Sequence, residues 1–201
     1  MCRMKNLDEL TDQIKRCTSC DLHKTHTNAV PGEGPKNADI MLIGEAPGYY
    51  EDQEGRPFVG NAGEVLTNLL EKAGLKREKV FIGNVLKCRP PKNRDPTEEE
   101  IKACSPYLKN QIRKIRPKLI VSLGRFATQL LLDQQVKISQ EHGELKNSDY
   151  GGWSCKLFVS YHPAAALYGG NARKKLEKDF EKLGNLAKNL DNYKTSQQMT
   201  F

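Results

Sequence analysis

The chain has 201 residues, of which 28% are charged and 37% are hydrophobic, and 32 lysines and arginines face 25 aspartates and glutamates. This composition excludes a disordered chain, and the lack of any run of about 18 apolar residues excludes a membrane-spanning helix. The opening MCRMKNLDEL has no apolar core, so we expect no signal peptide. The net charge of +7 is compatible with a nucleic-acid partner, although many basic proteins bind none.

Short apolar runs bounded by polar residues, glycine or proline predict four buried strands. They cover residues 39–45, 80–87, 119–123 and 157–161. Apolar residues at helical spacing predict helices over residues 62–73, 96–115, 125–132 and 173–190. This alternation is typical of an α/β domain with a parallel sheet, whose ligands bind beyond the carboxyl ends of the strands.

Four of the six cysteines have the spacing of a metal site. Cys17 and Cys20 form a C-x-x-C pair, Cys88 follows the second predicted strand, and Cys104 lies in the next helix. Both sulfurs of such a pair can face one metal centre, and two further thiolates complete a set of four ligands. Zinc and a 4Fe–4S cluster both accept four thiolates, so the spacing does not choose the metal. A redox pair and unrelated buried thiols are the alternatives, and Cys155 is expected to be a packed residue.

Glycine-rich segments follow the first predicted strand. GEAPG begins at Gly44, and GRPFVG begins at Gly55 and carries one aromatic residue, Phe58. Glycine lets the main chain approach a ligand closely and present N–H groups to it, although most such segments are ordinary turns. Phe58, between proline and glycine, is a candidate for stacking on a ligand rather than for the core.

The second and fourth strands end in residues suited to recognition and catalysis. Asn84 offers an acceptor and two donor hydrogens, which suits a nucleobase edge, and capping a turn is its structural alternative. His162 ends the last strand before a proline, where histidine acts either in chemistry or as a structural residue. The basic residues after Asn84 predict phosphate contacts or solvated surface. They are Lys87, Arg89, Lys92 and Arg94.

Taken together, these motifs resemble the family 4 uracil-DNA glycosylases, an iron–sulfur branch of DNA-repair enzymes. In chain order the motifs are C-x-x-C from Cys17, GEAPG from Gly44, GRPFVGNAG from Gly55, NVLKCRPPKNRDP from Asn84, Cys104, and HPAA from His162. The resemblance implies a three-layer α/β/α sandwich around a four-stranded parallel sheet. We expect one domain over residues 1–190 and a flexible tail over residues 191–201.

The resemblance also implies an activity and a set of site residues. The enzyme would hydrolyse the N-glycosidic bond of deoxyuridine in DNA, releasing uracil and leaving an abasic site. Cys17, Cys20, Cys88 and Cys104 would bind a structural 4Fe–4S cluster. The uracil pocket would contain Gly44, Glu45, Ala46, Pro47, Gly48, Phe58, Asn84 and His162. DNA would contact Arg56, Lys87, Arg89, Lys92, Arg94, Ala165 and Leu167.

The implied chemistry begins with flipping uracil out of the helix, because the glycosidic carbon is unreachable in a duplex. Phe58 would stack on the ring, and Asn84 would bond the O4 and N3–H edge that cytosine does not present. His162 would donate a hydrogen bond to O2, where negative charge develops as the bond breaks.

Two positions depart from related patterns. Family 1 enzymes carry an aspartate where this chain has Ala46, so Glu45 is assigned to the attacking water, to the sugar cation or to loop organisation. Ala164 stands where many relatives have serine. The loop from Ala165 to Leu167 is predicted to fill the space left by the flipped base, with Leu167 at its tip.

Several alternatives stay open at this point. They are a family 5-like glycosylase with a wider range of deaminated bases, a metal-containing nucleic-acid-binding module without catalysis, and a zinc protein of the same fold. We expect a cytoplasmic monomer that acts on uracil-containing DNA. The tail QQMTF, from Gln197 to Phe201, has some features of peptides that bind sliding clamps.

Overall fold

The computed structural model describes residues 6–192. These residues contain five strands and seven α-helices. The strands are β1 (Ile40–Gly44), β2 (Phe81–Asn84), β3 (Leu119–Leu123), β4 (Leu145–Asp149) and β5 (Ser154–Ser160). The helices are α1 (Leu7–Lys15), α2 (Tyr49–Glu54), α3 (Asn61–Lys72), α4 (Glu98–Ile115), α5 (Arg125–Leu132), α6 (Ile138–Glu141) and α7 (Gly170–Ala187).

The strands form one mixed sheet in the order β2-β1-β3-β5-β4. The four predicted strands pair in parallel, which confirms the α/β class, and their carboxyl ends therefore lie at one edge of the sheet. The predicted strand number was wrong, because β4 adds a fifth, antiparallel strand beside β5. Its sequence, LKNSD, contains no apolar run, because an edge strand with one solvated face does not need one.

Helices cover both faces of the sheet, as the resemblance implied. Leu10 and Ile14 of α1 and the apolar residues of α4 and α5 pack on one face. Apolar residues of α3 and α7 pack on the other, among them Leu66 and Phe180. The alternating side chains of each strand therefore divide between two cores, and the cysteines Cys88 and Cys104 belong to the first.

The second strand is shorter than predicted. After Asn84 the main chain crosses the end of β1, where Val85 N–H donates to the Gly44 carbonyl at 3.0 Å and Leu86 N–H donates to the Glu45 carbonyl at 2.9 Å. The apolar side chains of residues 85 and 86 predicted more strand because they are buried. The crossing brings the segment after β2 against the GEAPG segment after β1.

Within residues 6–192, every helix is too short or too polar to cross a lipid bilayer. Residues 190–192 form a short 3-10 helix. The remainder of the predicted tail, including the clamp-like residues 197–201, lies outside the described part of the chain, so both expectations stay predictions.

Candidate active site

The predicted base-binding residues converge at the carboxyl edge of the sheet. A methyl group added to Gly44, the last residue of β1, would lie 2.4 Å from Asn84 Oδ1 and 2.7 Å from Phe58 Cζ. The Phe58 ring in turn stacks beside the His162 ring, with centroids 5.6 Å apart and an interplanar angle of 29°. Glycine is required at position 44 because any side chain there would occupy the space between these groups.

Phe58 is held in an unusual main-chain conformation. Its φ of 52° lies in the left-handed region, which costs a bulky residue of the order of 1–3 kcal/mol. Arg77 Nη2 donates to the carbonyls of Pro57 and Phe58 at 2.8 and 3.0 Å. Such strain persists only where surrounding bonds enforce it, so this loop is built to present the Phe58 ring in one position.

Glu51 supplies the other anchor, and the sequence analysis missed it. The buried carboxylate accepts hydrogen bonds from the N–H groups of Val59 and Gly60, both at 2.9 Å, and from Gly48 N–H at 3.1 Å. It therefore ties the GEAPG loop to the Phe58 loop. A glutamate three residues after Gly48, at the start of a helix, is the capping-box spacing that could have revealed it.

The Asn84 side chain is buried without a complete set of partners. Only 1% of the residue is exposed, and Oδ1 has no hydrogen-bond partner among the described residues. Buried polar atoms are nearly always paired, and a lost partner costs of the order of 1–3 kcal/mol. An unpaired amide oxygen beside an aromatic ring marks a position prepared for a polar ligand.

His162 is neutral and has a defined tautomer. Burial lowers its pKa to about 4, while the carboxylate of Glu51 opposes that shift. The N–H of Ala164 donates to His162 Nδ1 at 3.2 Å, so the ring hydrogen lies on Nε2. Gly124, with φ of 93°, leaves room for the ring, because a methyl group there would lie 3.0 Å from His162 Cβ. The site therefore contains one N–H donor on an uncharged ring.

Glu45 also has a shifted protonation equilibrium. Burial and, to a smaller extent, the nearby Asp95 raise its pKa to about 7, against the opposing effect of Arg125. Arg125 and Asp95 form an ion pair at 3.0 Å. A carboxyl group that titrates near neutrality at the end of a strand is a common feature of catalytic sites.

The segment after His162 forms an exposed corner beside this pocket. Pro163–Leu167 is a 3-10 helix, in which Leu167 is 46% exposed. The next residue, Tyr168, is 89% exposed and was not singled out from the sequence. Two large apolar side chains therefore project from the loop in which we predicted a wedge.

Of the basic residues predicted to contact DNA, two form ion pairs, two lie at the surface without a carboxylate partner in the described residues, and one, Lys87, is buried. Arg56 pairs with Glu33 through two bonds of 2.8 and 2.9 Å, and Arg94 pairs with Glu100 through two bonds of 2.9 and 2.6 Å. Arg89 lies over the exposed ring of Tyr49, 5.1 Å from its centroid, and Lys92 is exposed.

Lys87 does not belong to this surface, and its assignment to DNA was wrong. It is 2% exposed, and its ammonium donates to the Asn84 carbonyl and to Gln111 Oε1, both at 2.8 Å. Burial lowers its pKa to about 8, against the opposing effect of Cys104. A fully enclosed ammonium cannot contact a phosphate.

The four predicted metal-binding cysteines line one pocket together with Lys87 and Tyr107. Ser19 N–H donates to Cys17 Sγ at 3.4 Å, and Lys87 N–H donates to Cys104 Sγ at 3.2 Å. In residues 6–192, however, no three His, Cys, Asp or Glu side chains converge closely enough to hold a single metal ion.

Two further histidines have a defined hydrogen-bond partner in the fold. His23 lines the cysteine pocket, and its Nδ1 lies 2.7 Å from the Cys20 carbonyl. His142 Nδ1 lies 3.0 Å from Asp179 Oδ1, and Ser160 also donates to Asp179. The predicted role of Cys155 as a packed residue is confirmed, since it is buried in β5.

Similarity to known proteins identifies the family of this chain. The family model of the uracil DNA glycosylase superfamily matches residues 31–184. A type-4 uracil-DNA glycosylase of Archaeoglobus fulgidus is 49% identical over 187 residues, covering 91% of this chain and 94% of that protein. The type-4 enzyme of Saccharolobus solfataricus is 51% identical over 185 residues, covering 90% and 86% of the two chains.

A type-5 uracil-DNA glycosylase of Pyrobaculum aerophilum is less similar. It is 32% identical over 152 residues, covering 67% of this chain and 65% of that protein. The motifs, the sheet and these similarities agree, and the chain belongs to the type-4 branch of the uracil-DNA glycosylase superfamily.

Proposed function

We propose that this protein is a uracil-DNA glycosylase that hydrolyses the N-glycosidic bond of deoxyuridine in DNA. The observation that carries the proposal is the buried, unpaired Oδ1 of Asn84, enclosed with the rings of Phe58 and His162. An amide in an aromatic pocket matches a flat base that offers hydrogen bonds along one edge. The base leaves as free uracil, and an abasic site stays in the DNA.

Base selection follows from the Asn84 amide. Its oxygen accepts the N3–H of uracil and its nitrogen donates to O4, whereas cytosine presents an unprotonated N3 and an amino group at those positions. A mismatched base would leave buried polar atoms unpaired, which typically separates substrates by large factors. Phe58 contributes stacking that any base receives, so it adds affinity without selectivity.

Bond cleavage is driven by stabilisation of the leaving group. As the bond to the sugar breaks, negative charge develops on uracil O2, and His162 Nε2–H donates to it. The ring is already neutral with its hydrogen on Nε2, so no proton transfer precedes the step. One preorganised donor at a developing oxyanion contributes about 3–4 kcal/mol.

Glu45 is assigned to the sugar side of the reaction. Its carboxylate attracts the positive charge that forms on the sugar and orients the water that attacks it, and the carboxyl group is anionic only above about pH 7. Ala46 offers no acid in the place where family 1 enzymes carry aspartate. The neighbouring residues Gly44, Pro47 and Gly48 shape the loop around the base.

The four cysteines are proposed to hold a 4Fe–4S cluster, because they line one pocket and such a cluster takes four thiolate ligands. The cluster supplies structural cross-linking when it is bound. Cys17 and Cys20 precede β1, Cys88 follows β2, and Cys104 lies in α4, so it would join three segments beside the base pocket.

DNA is proposed to bind across the exposed corner above the pocket. Leu167 and Ala165 fill the space left by the flipped base, and Arg89 and Lys92 contact phosphates. Arg56 and Arg94 can contribute there only in competition with their carboxylate partners. A monomer in the cytoplasm suits an enzyme that scans chromosomal DNA, and clamp binding by residues 197–201 stays a prediction.

The decisive experiment is alkaline cleavage of a labelled oligonucleotide that contains one uracil. Matched thymine and cytosine oligonucleotides serve as substrate controls, and hypoxanthine tests the wider range expected of a family 5-like enzyme. We expect cleavage at uracil alone. Asn84→Ala should abolish it, whereas Asn147→Ala, the same change in the edge strand β4, should not.

An iron-loaded, folded wild-type protein that leaves the uracil oligonucleotide intact would overturn the proposal. Binding without cleavage would then favour a nucleic-acid-binding module. Equal cleavage at hypoxanthine would instead place the chain functionally with the wider-substrate enzymes.

A further inference from the structure

Lys87 makes an unusual set of contacts for a lysine. It is among the largest fully buried side chains in residues 6–192, and no carboxylate there forms an ion pair with it. Lysine is rarely buried without a charged partner, because removing the ammonium from water is costly. Both of its acceptors are neutral oxygens, the carbonyl of Asn84 and the side chain of Gln111.

The position of the Asn84 carbonyl explains why a donor is needed there. Strand β2 lies at the edge of the sheet, with β1 on one side only. Val85 N–H points towards β1, where it donates to Gly44. Since the peptide unit is planar and trans, the Asn84 carbonyl of the same unit points the opposite way, to the side that has no strand. The Lys87 ammonium takes the place of the missing N–H donor.

Lys87 also contacts two other segments of the chain. Its carbonyl accepts from Val30 N–H at 2.7 Å, and its N–H donates to Cys104 Sγ at 3.2 Å. Gln111, its second acceptor, donates through Nε2 to the Pro31 carbonyl at 2.6 Å. One residue thus connects the cysteine pocket, helix α4, the loop at residues 30–31 and the base-reading end of β2.

We propose that Lys87 is a positioning residue that fixes the main chain of Asn84, so that the Asn84 amide meets the uracil edge in register. This inference rests on the proposed function and adds a residue to its specificity machinery. The side chain of Asn84 has to keep its oxygen unpaired for the base, so its position is set through its main chain. Lys87 provides that constraint from the cysteine side of the pocket.

The test compares Lys87→Met with Gln111→Leu and with the double variant. Lys36→Met, the same change at an exposed lysine, is the matched control. For each protein we would measure iron content, melting temperature, affinity for free uracil by calorimetry, and kcat and KM on the uracil oligonucleotide. We expect Lys87→Met to keep its iron but to bind free uracil about tenfold more weakly, the effect of losing one hydrogen bond to a charged group.

The double variant separates positioning from stability. It removes both ends of the Lys87–Gln111 hydrogen bond, so neither end of that contact is left unpaired, whereas the Asn84 and Pro31 carbonyls still lack their donors. We therefore expect its melting temperature to recover in part, relative to the sum of the two single changes, while its uracil affinity stays low. Recovery of both together would overturn the proposal, because Lys87 would then act on stability alone.

Two further outcomes are equally decisive. Wild-type uracil affinity in Lys87→Met would overturn the proposal directly. If Lys87→Met loses iron, Gln111→Leu decides: reduced uracil affinity with full iron supports positioning, and unchanged affinity refutes it. Wild-type cleavage of the uracil oligonucleotide is the reference, so failure of the proposed function would be seen independently of any variant.

Discussion

The cysteine pocket and the proposed base pocket, formed by Phe58, Asn84 and His162, lie on either side of Lys87. They differ in whether their polar atoms have hydrogen-bond partners. In the cysteine pocket, sulfurs accept main-chain N–H groups from Ser19 and Lys87. In the base pocket, Asn84 Oδ1 has no partner within the described residues, and Phe58 is strained. Satisfied polar groups indicate a site that holds the fold together, whereas unsatisfied and strained ones indicate a site prepared for a ligand.

The shifted pKa values of His162 and Glu45 are a second feature that distinguishes the proposed base pocket. Burial lowers the pKa of His162 to about 4 and raises that of Glu45 to about 7, so between these two pH values both groups are in the neutral form. Their environments make neither residue more stable in its charged form. Two groups with pKa values shifted in this way are typical of catalytic sites, where residues are retained for the reaction although they do not stabilise the fold. Experiments on four residues test this contrast.

The largest effect is expected from Cys104→Ala. Loss of one of four sulfurs should release the iron and lower the melting temperature, because the pocket joins three separate segments. Iron content and visible absorbance would measure this, with the buried Cys155→Ala as the matched control. Full iron in Cys104→Ala, or iron loss in Cys155→Ala, would contradict the assigned ligand set, and a colourless protein with one zinc would contradict the cluster.

His162→Gln should reduce kcat by between about a hundredfold and a thousandfold, because the change displaces the donor to uracil O2. Single-turnover rates on the uracil oligonucleotide would measure the chemical step. The pH dependence of stability gives a second test, because folding favours the neutral form of His162. Since the folded pKa is lowered from 6.5 to about 4, the wild type loses stability as pH falls from 6.5 towards 4, and the variant should lose less.

Gly44→Ala should reduce kcat/KM by about a hundredfold, because a methyl group would displace Asn84 and Phe58 by a large part of an ångström. The matched control is Gly170→Ala, where an added methyl group has no neighbour within 4 Å. Steady-state kinetics and melting temperature would be measured for both. Wild-type activity in Gly44→Ala would show that the base does not bind between these side chains.

The smallest effect is expected in the pH profile of Glu45→Gln. If the Glu45 carboxylate acts in catalysis, wild-type kcat/KM should fall about tenfold between pH 8 and pH 6, following a pKa of about 7. The variant should be slower at pH 8 and nearly independent of pH. The exposed Glu144→Gln should keep the wild-type profile, and the same acid limb in Glu45→Gln would assign it to another group.

Stability supplies a separate test of Glu45. Its folded pKa is raised from 4.5 to about 7, so the folded protein holds a proton that the unfolded chain has lost. Between these values the wild type should lose stability as pH rises, and Glu45→Gln should lose less. Melting temperatures of the two proteins across this range would measure the difference.

The sequence predicted the four parallel strands, the four cysteines that line one pocket and the loops that meet at the candidate site. Buried parallel strands need apolar runs, and a C-x-x-C pair or a glycine-rich segment after a strand has a local physical cause. The boundary errors also have local causes, since residues 85 and 86 are apolar because they are buried, not because they extend β2. The polar edge strand β4 carried no such signal.

The tertiary structure decided what each polar group in these loops is bonded to. Lys87 and Arg89 look alike in sequence, but one is enclosed against Asn84 and the other lies over Tyr49. Glu51 ties two loops together through N–H groups that lie up to nine positions away along the chain. Residue type and spacing determine which chemistry is available. Burial and partners depend on segments distant in sequence, and these set the protonation, the tautomer and the unpaired atoms on which function depends.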